Sequence, residues 1–163
     1  MSDNDSPNPA DALWMMVMAA TEDVPTIHFD IRPKSKARPR VTRRGITYMP
    51  KDYVLYCKRL AEVFHAAGGE TLTGDETSPL VMVMEFGLKV PQMLNKTKLR
   101  AVERKALLGT AANCSRADVD NLEGAVLDAL LPKDVGGDGR VVMTVSRKIW
   151  SASYYVKLKV MTC

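Results

Sequence analysis

RADVDNLEGAVLDAL, Arg116 to Leu130, sets the frame for the rest of the chain. Leu122, Ala125, Val126, Ala129 and Leu130 recur at helical spacing, which predicts an amphipathic helix from about Asn121 to Leu131, stopped by Pro132. Asp118 and Asp120 stand two positions apart at the mouth of that helix, and Asp138 follows in a glycine-rich loop, Val135 to Gly139. Carboxylates brought together suit a hard divalent cation such as Mg²⁺, which takes oxygen ligands and joins a protein carboxylate to a substrate phosphate. Each acid also has a plain structural explanation. Asp120 followed by Glu123 is a capping-box pattern, Asp118 favours the positive end of the helix dipole, and Asp138 among glycines suits a turn.

Outward from this helix, the chain alternates between strand and helix periods. Val141 to Ile149 alternates with Val141, Met143, Val145 and Ile149 inward, and Tyr154 to Val160 repeats the pattern with Tyr154, Val156, Leu158 and Val160. Upstream, Leu80 to Val90 alternates Leu80, Met82, Met84, Phe86, Leu88 and Val90 against Glu85, Gly87 and Lys89, the methionines serving as core filling. Thr26 to Arg32 sets Ile27, Phe29 and Ile31 on one side and leaves His28 to solvent. Lys51 to Ala67 is helical, with Tyr53, Cys57, Leu60, Ala61 and Phe64 on one face, and a basic helix with a narrow apolar stripe spans about Thr97 to Leu108. These elements predict an α+β domain: a small mixed sheet of about four strands, with helices packed mainly on one face.

At 163 residues the chain holds one domain with a proper core. Residues 1–24 read as a flexible acidic leader, with a short helix over Asp11 to Ala20, and 25–163 as the single folded domain. Residues 1–31 hold six acids and no Lys or Arg, so the remainder carries 23 basic residues against 13 acidic ones, a net +10. A basic body points to a polyanionic partner, nucleic acid first. The densest charge is KSKARPRVTRRGITYMP, Lys34 to Pro50, an extended cationic loop whose Lys34, Lys36, Arg38, Arg40, Arg43 and Arg44 suit phosphate tracking. Three cysteines at unrelated spacings, Cys57, Cys114 and Cys163, give no zinc pattern with His28 or His65 and read as thiols in a reducing compartment. Leu13 to Ala20 is too short to span a bilayer and follows Asp3, Asp5 and Asp11, so the expected location is the cytoplasm.

RADVDNLEGAVLDAL followed by DGRVVMTVSRKIW resembles the core of the RusA family of Holliday junction resolvases, endonucleases common in phages and prophages. In that family an Asp-x-Asp-Asn-Leu segment opens a helix, Asp-Ala-Leu closes it, and an acid before a Val-Val strand completes the metal site. The basic loop and its Tyr-x-x-Pro-like turn resemble the family too, so the likeness covers roughly residues 26–160. It implies that Asp118, Asp120 and Asp138 bind Mg²⁺, with Mn²⁺ as the alternative, and that Asn121, Asp128 and Lys148 support them. A metal-dependent, structure-selective endodeoxyribonuclease follows, acting on four-way junctions and other branched DNA in recombination and repair. The symmetry of a junction implies a homodimer, and a phage origin implies the host cytoplasm.

Two positions depart from the family's pattern. The lysine usual four residues after the second Asp is Gly124 here, and the paired acids before the last strands are Gly137 and Asp138. Lys133, Arg140 or Lys148 are the candidates for the missing cation. The departures imply weaker or differently organised cleavage, and at the limit a junction-binding protein of the same fold without efficient chemistry.

Overall fold

The structure, a computed structural model, describes residues 9–90, 100, 101, 103, 104, 117–131 and 137–163. Its elements in order are α1 (Pro9–Ala20), β1 (Ile27–Phe29), β2 (Arg40–Val41), β3 (Thr47–Tyr48), α2 (Lys51–Ala66), α3 (Gly69–Leu72), β4 (Leu80–Lys89), α4 (Val119–Leu130), a 3₁₀ turn (Asp138–Arg140), β5 (Val141–Ser151) and β6 (Tyr155–Thr162). Residues 100, 101, 103 and 104 are helical; the rest of the helix expected over 97–108 lies outside the described residues.

Four strands form one mixed sheet in the order β1-β6-β4-β5. β4 pairs parallel with β5 and antiparallel with β6, while β1 pairs antiparallel with β6. Parallel neighbours need a crossover connection, and α4 lies within it. The main core sits between the sheet and α2 with α4. There Phe29, Leu80, Met82, Met84, Phe86, Val156 and Leu158 meet Leu60, Leu122 and Val126, every one of them at 1% exposure or less. Their alternation in sequence is what commits that face of the sheet to the core. Gly87 is required on the other face, because a Cβ there would lie 2.3 Å from the ring of its cross-strand partner Tyr155.

The opposite face is covered as well, by α1. Trp14 is buried at 8% exposure and its ring lies 4.3 Å from the Arg147 guanidinium, while the Lys159 ammonium donates to the Thr21 carbonyl. Within the segment expected to be flexible, the short helix expected over Asp11 to Ala20 forms and is docked, anchored by Trp14 of the apolar run Leu13 to Ala20. α1 lies on the face away from α2 and α4.

α1 also explains Glu85, expected on the face opposite the apolar one and found 6% exposed. Its carboxylate accepts from Arg147 (2.8 Å to Nε, 2.5 Å to Nη2) and from the Tyr155 hydroxyl (2.8 Å), with Lys157 at 3.4 Å. Burial by itself would raise that carboxyl, but Arg147, Tyr155 and Lys157 together hold it below its ordinary value.

In β5 the expected inward set is divided. The register shifts between Leu80 and Val81, which face Val141 and Met143, so Val142 is the extra residue of a bulge. Val141 packs against the main core, whereas Val145 and Ile149 fall on the α1 side and Met143 is 55% exposed at the sheet edge. The same shift turns Thr144, Ser146 and Lys148, the partners of Met82, Met84 and Phe86, toward α4. The cationic loop, expected to be simply extended, contains the β2–β3 hairpin, with Arg40 opposite Tyr48 and Val41 opposite Thr47.

Candidate functional site

Helix α4 starts one step earlier than a capping box centred on Asp120 requires. Asp118 is the N-cap residue, with extended backbone (φ −72°, ψ 140°), and its carboxylate makes no capping hydrogen bond. Asp120 lies in the first turn, and Glu123 turns to β5, where the Thr144 hydroxyl donates to it over a long 3.4 Å. Both aspartates are exposed, and neither has a hydrogen-bond or ion-pair partner among the described residues. Two oxygen ligands at the positive end of a helix, with solvent around them, fit a hydrated hard cation that keeps several waters.

Lys148 reaches this helix start from β5. Its ammonium donates to the Ala117 carbonyl at 2.5 Å, directly before Asp118. Of the cations considered for the missing lysine, Lys148 is the one placed beside the aspartates among the described residues. Arg140 holds the loop before β4, donating to the Ser78 carbonyl (3.1 Å) and the Thr73 carbonyl (2.5 Å), and Lys133 lies outside the described residues.

The basic loop is clamped along α4 by Lys36. Its backbone N–H donates to the Asn121 carbonyl at 2.7 Å, its methylenes cross the helix at Gly124, and its ammonium ends 2.8 Å from Asp128. A Cβ at position 124 would lie 3.0 Å from the Lys36 Cδ, so the glycine leaves the groove in which the side chain runs. Asp128 also accepts from the Tyr53 hydroxyl at 2.8 Å. Burial first, then Asp128, pushes the Tyr53 phenol far above its ordinary value, which keeps it a donor. Lys34 is engaged in the same way with Asp52 at 2.6 Å, and the hydrogen bond and charge of Lys34 lower the Asp52 carboxyl. An isolated glycine inside a helical pattern was the sequence signal for this close approach. Nothing in the local pattern pointed to Lys36 as its cause.

The clamps on Lys34 and Lys36 leave Arg38, Arg40, Arg43 and Arg44 on the exposed stretch beyond, none of them in an ion pair among the described residues. The Arg43–Arg44 turn is closed by Thr42 and Ile46 (Thr42 N–H to the Ile46 carbonyl, 2.9 Å) and by Gly45 at φ +77°. The left-handed backbone there is one that glycine adopts without strain.

Asp138 is not part of this group. It opens the 3₁₀ turn before Val141, whereas Lys148, the neighbour of Ala117, is seven residues further along β5. That strand length separates Asp138 from Asp118 by roughly 20 Å. Among the described residues, no three His, Cys, Asp or Glu side chains converge to hold a metal ion. α4 runs against β5, which puts the helix start and the strand start at opposite ends of the sheet.

A family model described as endodeoxyribonuclease RusA matches residues 30–161. No curated protein matches the chain. Helix α1 lies outside the matched stretch. Among the described residues no helix is long and apolar enough to cross a membrane.

Proposed function

The chain belongs to the RusA family of endodeoxyribonucleases, which resolve Holliday junctions, and from that premise we propose that its catalytic centre is built on Asp118 and Asp120 at the start of α4. The observation that carries this reading is the exposed pair of carboxylates, unpartnered among the described residues, beside the Lys148 ammonium, with the arginine-bearing hairpin clamped to the same helix through Lys36. The pair suits Mg²⁺, or Mn²⁺ in its place. When bound, such an ion lowers the pKa of a water and neutralises charge on a phosphodiester.

The protein's own residues do the rest. Asp118 and Asp120 orient the attacking water and fix the position of the scissile phosphate. Lys148 and the Asn121 side chain support that end of the helix, and Lys148 is the cation nearest to charge developing on phosphate oxygens. Arg38, Arg40, Arg43 and Arg44 grip the flanking backbone, whereas Lys34 and Lys36 set the height and direction of the loop. Gly124 roots no cation at the turn where the family usually has one, so cleavage is slower than that arrangement permits.

Asp138 serves from a second copy. A homodimer supplies the two nicks that a four-way junction requires, and its two-fold axis lets the Asp138 of one protomer complete the metal site of the other. The exposed thiol of Cys163 and the half-buried thiol of Cys57 suit a reducing cytoplasm.

The test is cleavage of a synthetic mobile junction and a matched linear duplex, each with Mg²⁺ or EDTA. Symmetric paired nicks in the junction, dependent on Mg²⁺, are expected, and Asp120→Asn should lower their rate by about a hundredfold or more while junction binding persists. An Asp120→Asn protein that cuts at the normal rate removes the metal centre from this helix.

A further inference from the structure

We propose that the β2–β3 hairpin is a base-contacting wedge, whose Ile46 and Tyr48 pack on unstacked bases at the branch point of the DNA; this rests on the reading of the protein as a branched-DNA nuclease. Every residue from 38 to 48 is exposed, and β2 and β3 pair only with each other. Within that arm Val41, Ile46 and Tyr48 are 65%, 62% and 45% exposed. Scattered apolar side chains on a surface need no explanation. Three on one small arm that joins no core among the described residues have a use outside the fold.

The register arranges them. Arg40 and Tyr48 are cross-strand partners, and Thr42 and Ile46 close the next pair, so Arg40, Ile46 and Tyr48 share one face of the hairpin. Ile46 and Tyr48 are then about 7 Å apart along β3. The occupant follows from charge. Residues 38–48 carry Arg38, Arg40, Arg43 and Arg44 and no acid, which selects a polyanion. Arginine alone accounts for phosphate, but an isoleucine and a tyrosine beside it need apolar faces. DNA offers such faces only where bases leave the stack, and apolar side chains next to basic ones act as wedges at such steps. A continuous duplex hides these surfaces and a crossover opens them. The hairpin therefore favours branched over linear DNA, and its arginines bind both alike.

The test uses the full chain in EDTA, with a four-way junction carrying 2-aminopurine at the crossover and a matched linear duplex. The wild-type protein should raise 2-aminopurine fluorescence on binding. The double variant Ile46→Ser/Tyr48→Ser should lose that rise and bind the junction at least about fivefold more weakly, with duplex affinity changed by less than about twofold; Tyr48→Phe should keep both properties. Because the arm is outside the core, an unchanged melting temperature is expected for the variants. Retention of the fluorescence rise and junction affinity by the double variant, an equal loss on junction and duplex, or no fluorescence rise with a wild type that prefers junctions each overturns the wedge. A wild type with no preference for the junction overturns instead the reading on which it rests, and the wedge with it.

Discussion

A methyl group at position 124 would meet the Lys36 side chain at 3.0 Å, and that single distance links a helix residue to a loop 88 positions earlier. Glycine within a helix costs about 1 kcal/mol relative to alanine, so Gly124→Ala should recover that amount where nothing stands in the way. With Lys36 in place the gain should fall below about 0.5 kcal/mol, and in a Lys36→Ala background it should approach the full value. Urea unfolding of the four proteins in this double-mutant cycle measures the difference; additive effects would mean that Lys36 does not use the groove. Position 124 also shows how far single residues can be read from sequence. Its oddity was visible as a glycine in an apolar period, and Asp118 and Asp120 were visible as a motif. The partner across space was not, because Lys36 belongs to a loop with no period of its own, and Asp118, not Asp120, is the N-cap because only backbone geometry decides where a helix begins.

Among elements, α1 departs furthest from its reading. Its helix is expected from sequence but its docking is not: Trp14 and Asp11 meet Arg147, with Asp11 3.7 Å from the guanidinium, and together they shut Glu85 beneath the helix. Glu85 is held ionised below its ordinary range, so it stabilises the fold above that range, and the contribution disappears as pH falls through its folded value. Removing the guanidinium leaves burial to act with less opposition. Arg147→Gln should therefore lose roughly 2 to 3 kcal/mol at pH 7, and the gap to wild type should narrow as the medium is acidified and the carboxyl becomes neutral in both proteins. Unfolding free energies from pH 4 to 8 would show this; a gap of constant size would place the effect in packing against Trp14 instead. The strands were easier to read. The period of two in β4 and β6 gives their core faces directly, whereas in β5 one bulged residue, Val142, put Val141 and Met143 on opposite faces, and a period carries no record of a bulge.

For the whole molecule, the separation of Asp138 from the α4 start makes subunit composition measurable. Asp120→Asn and Asp138→Asn proteins should each be inactive alone. Mixed and allowed to exchange subunits, they should form a heterodimer in which one of the two composite sites is intact, and a junction should then receive a nick in one strand. If each site lay within a single chain, both sites of that heterodimer would be damaged and the mixture would stay silent. The mixed α+β class was legible from the alternating periods, as was the family from three short motifs in order. Strand order was not, because periodicity reports a face and never a neighbour. That order has a temporal consequence. β6, at residues 155–162, is the last strand in sequence but lies inside the sheet, between β1 at residues 27–29 and β4. A nascent chain that has not reached residue 155 leaves β1 with no neighbour and β4 with one edge bare. Closing the sheet is a late, long-range event, so the growing polypeptide carries no assembled nuclease while it is still on the ribosome short of that strand.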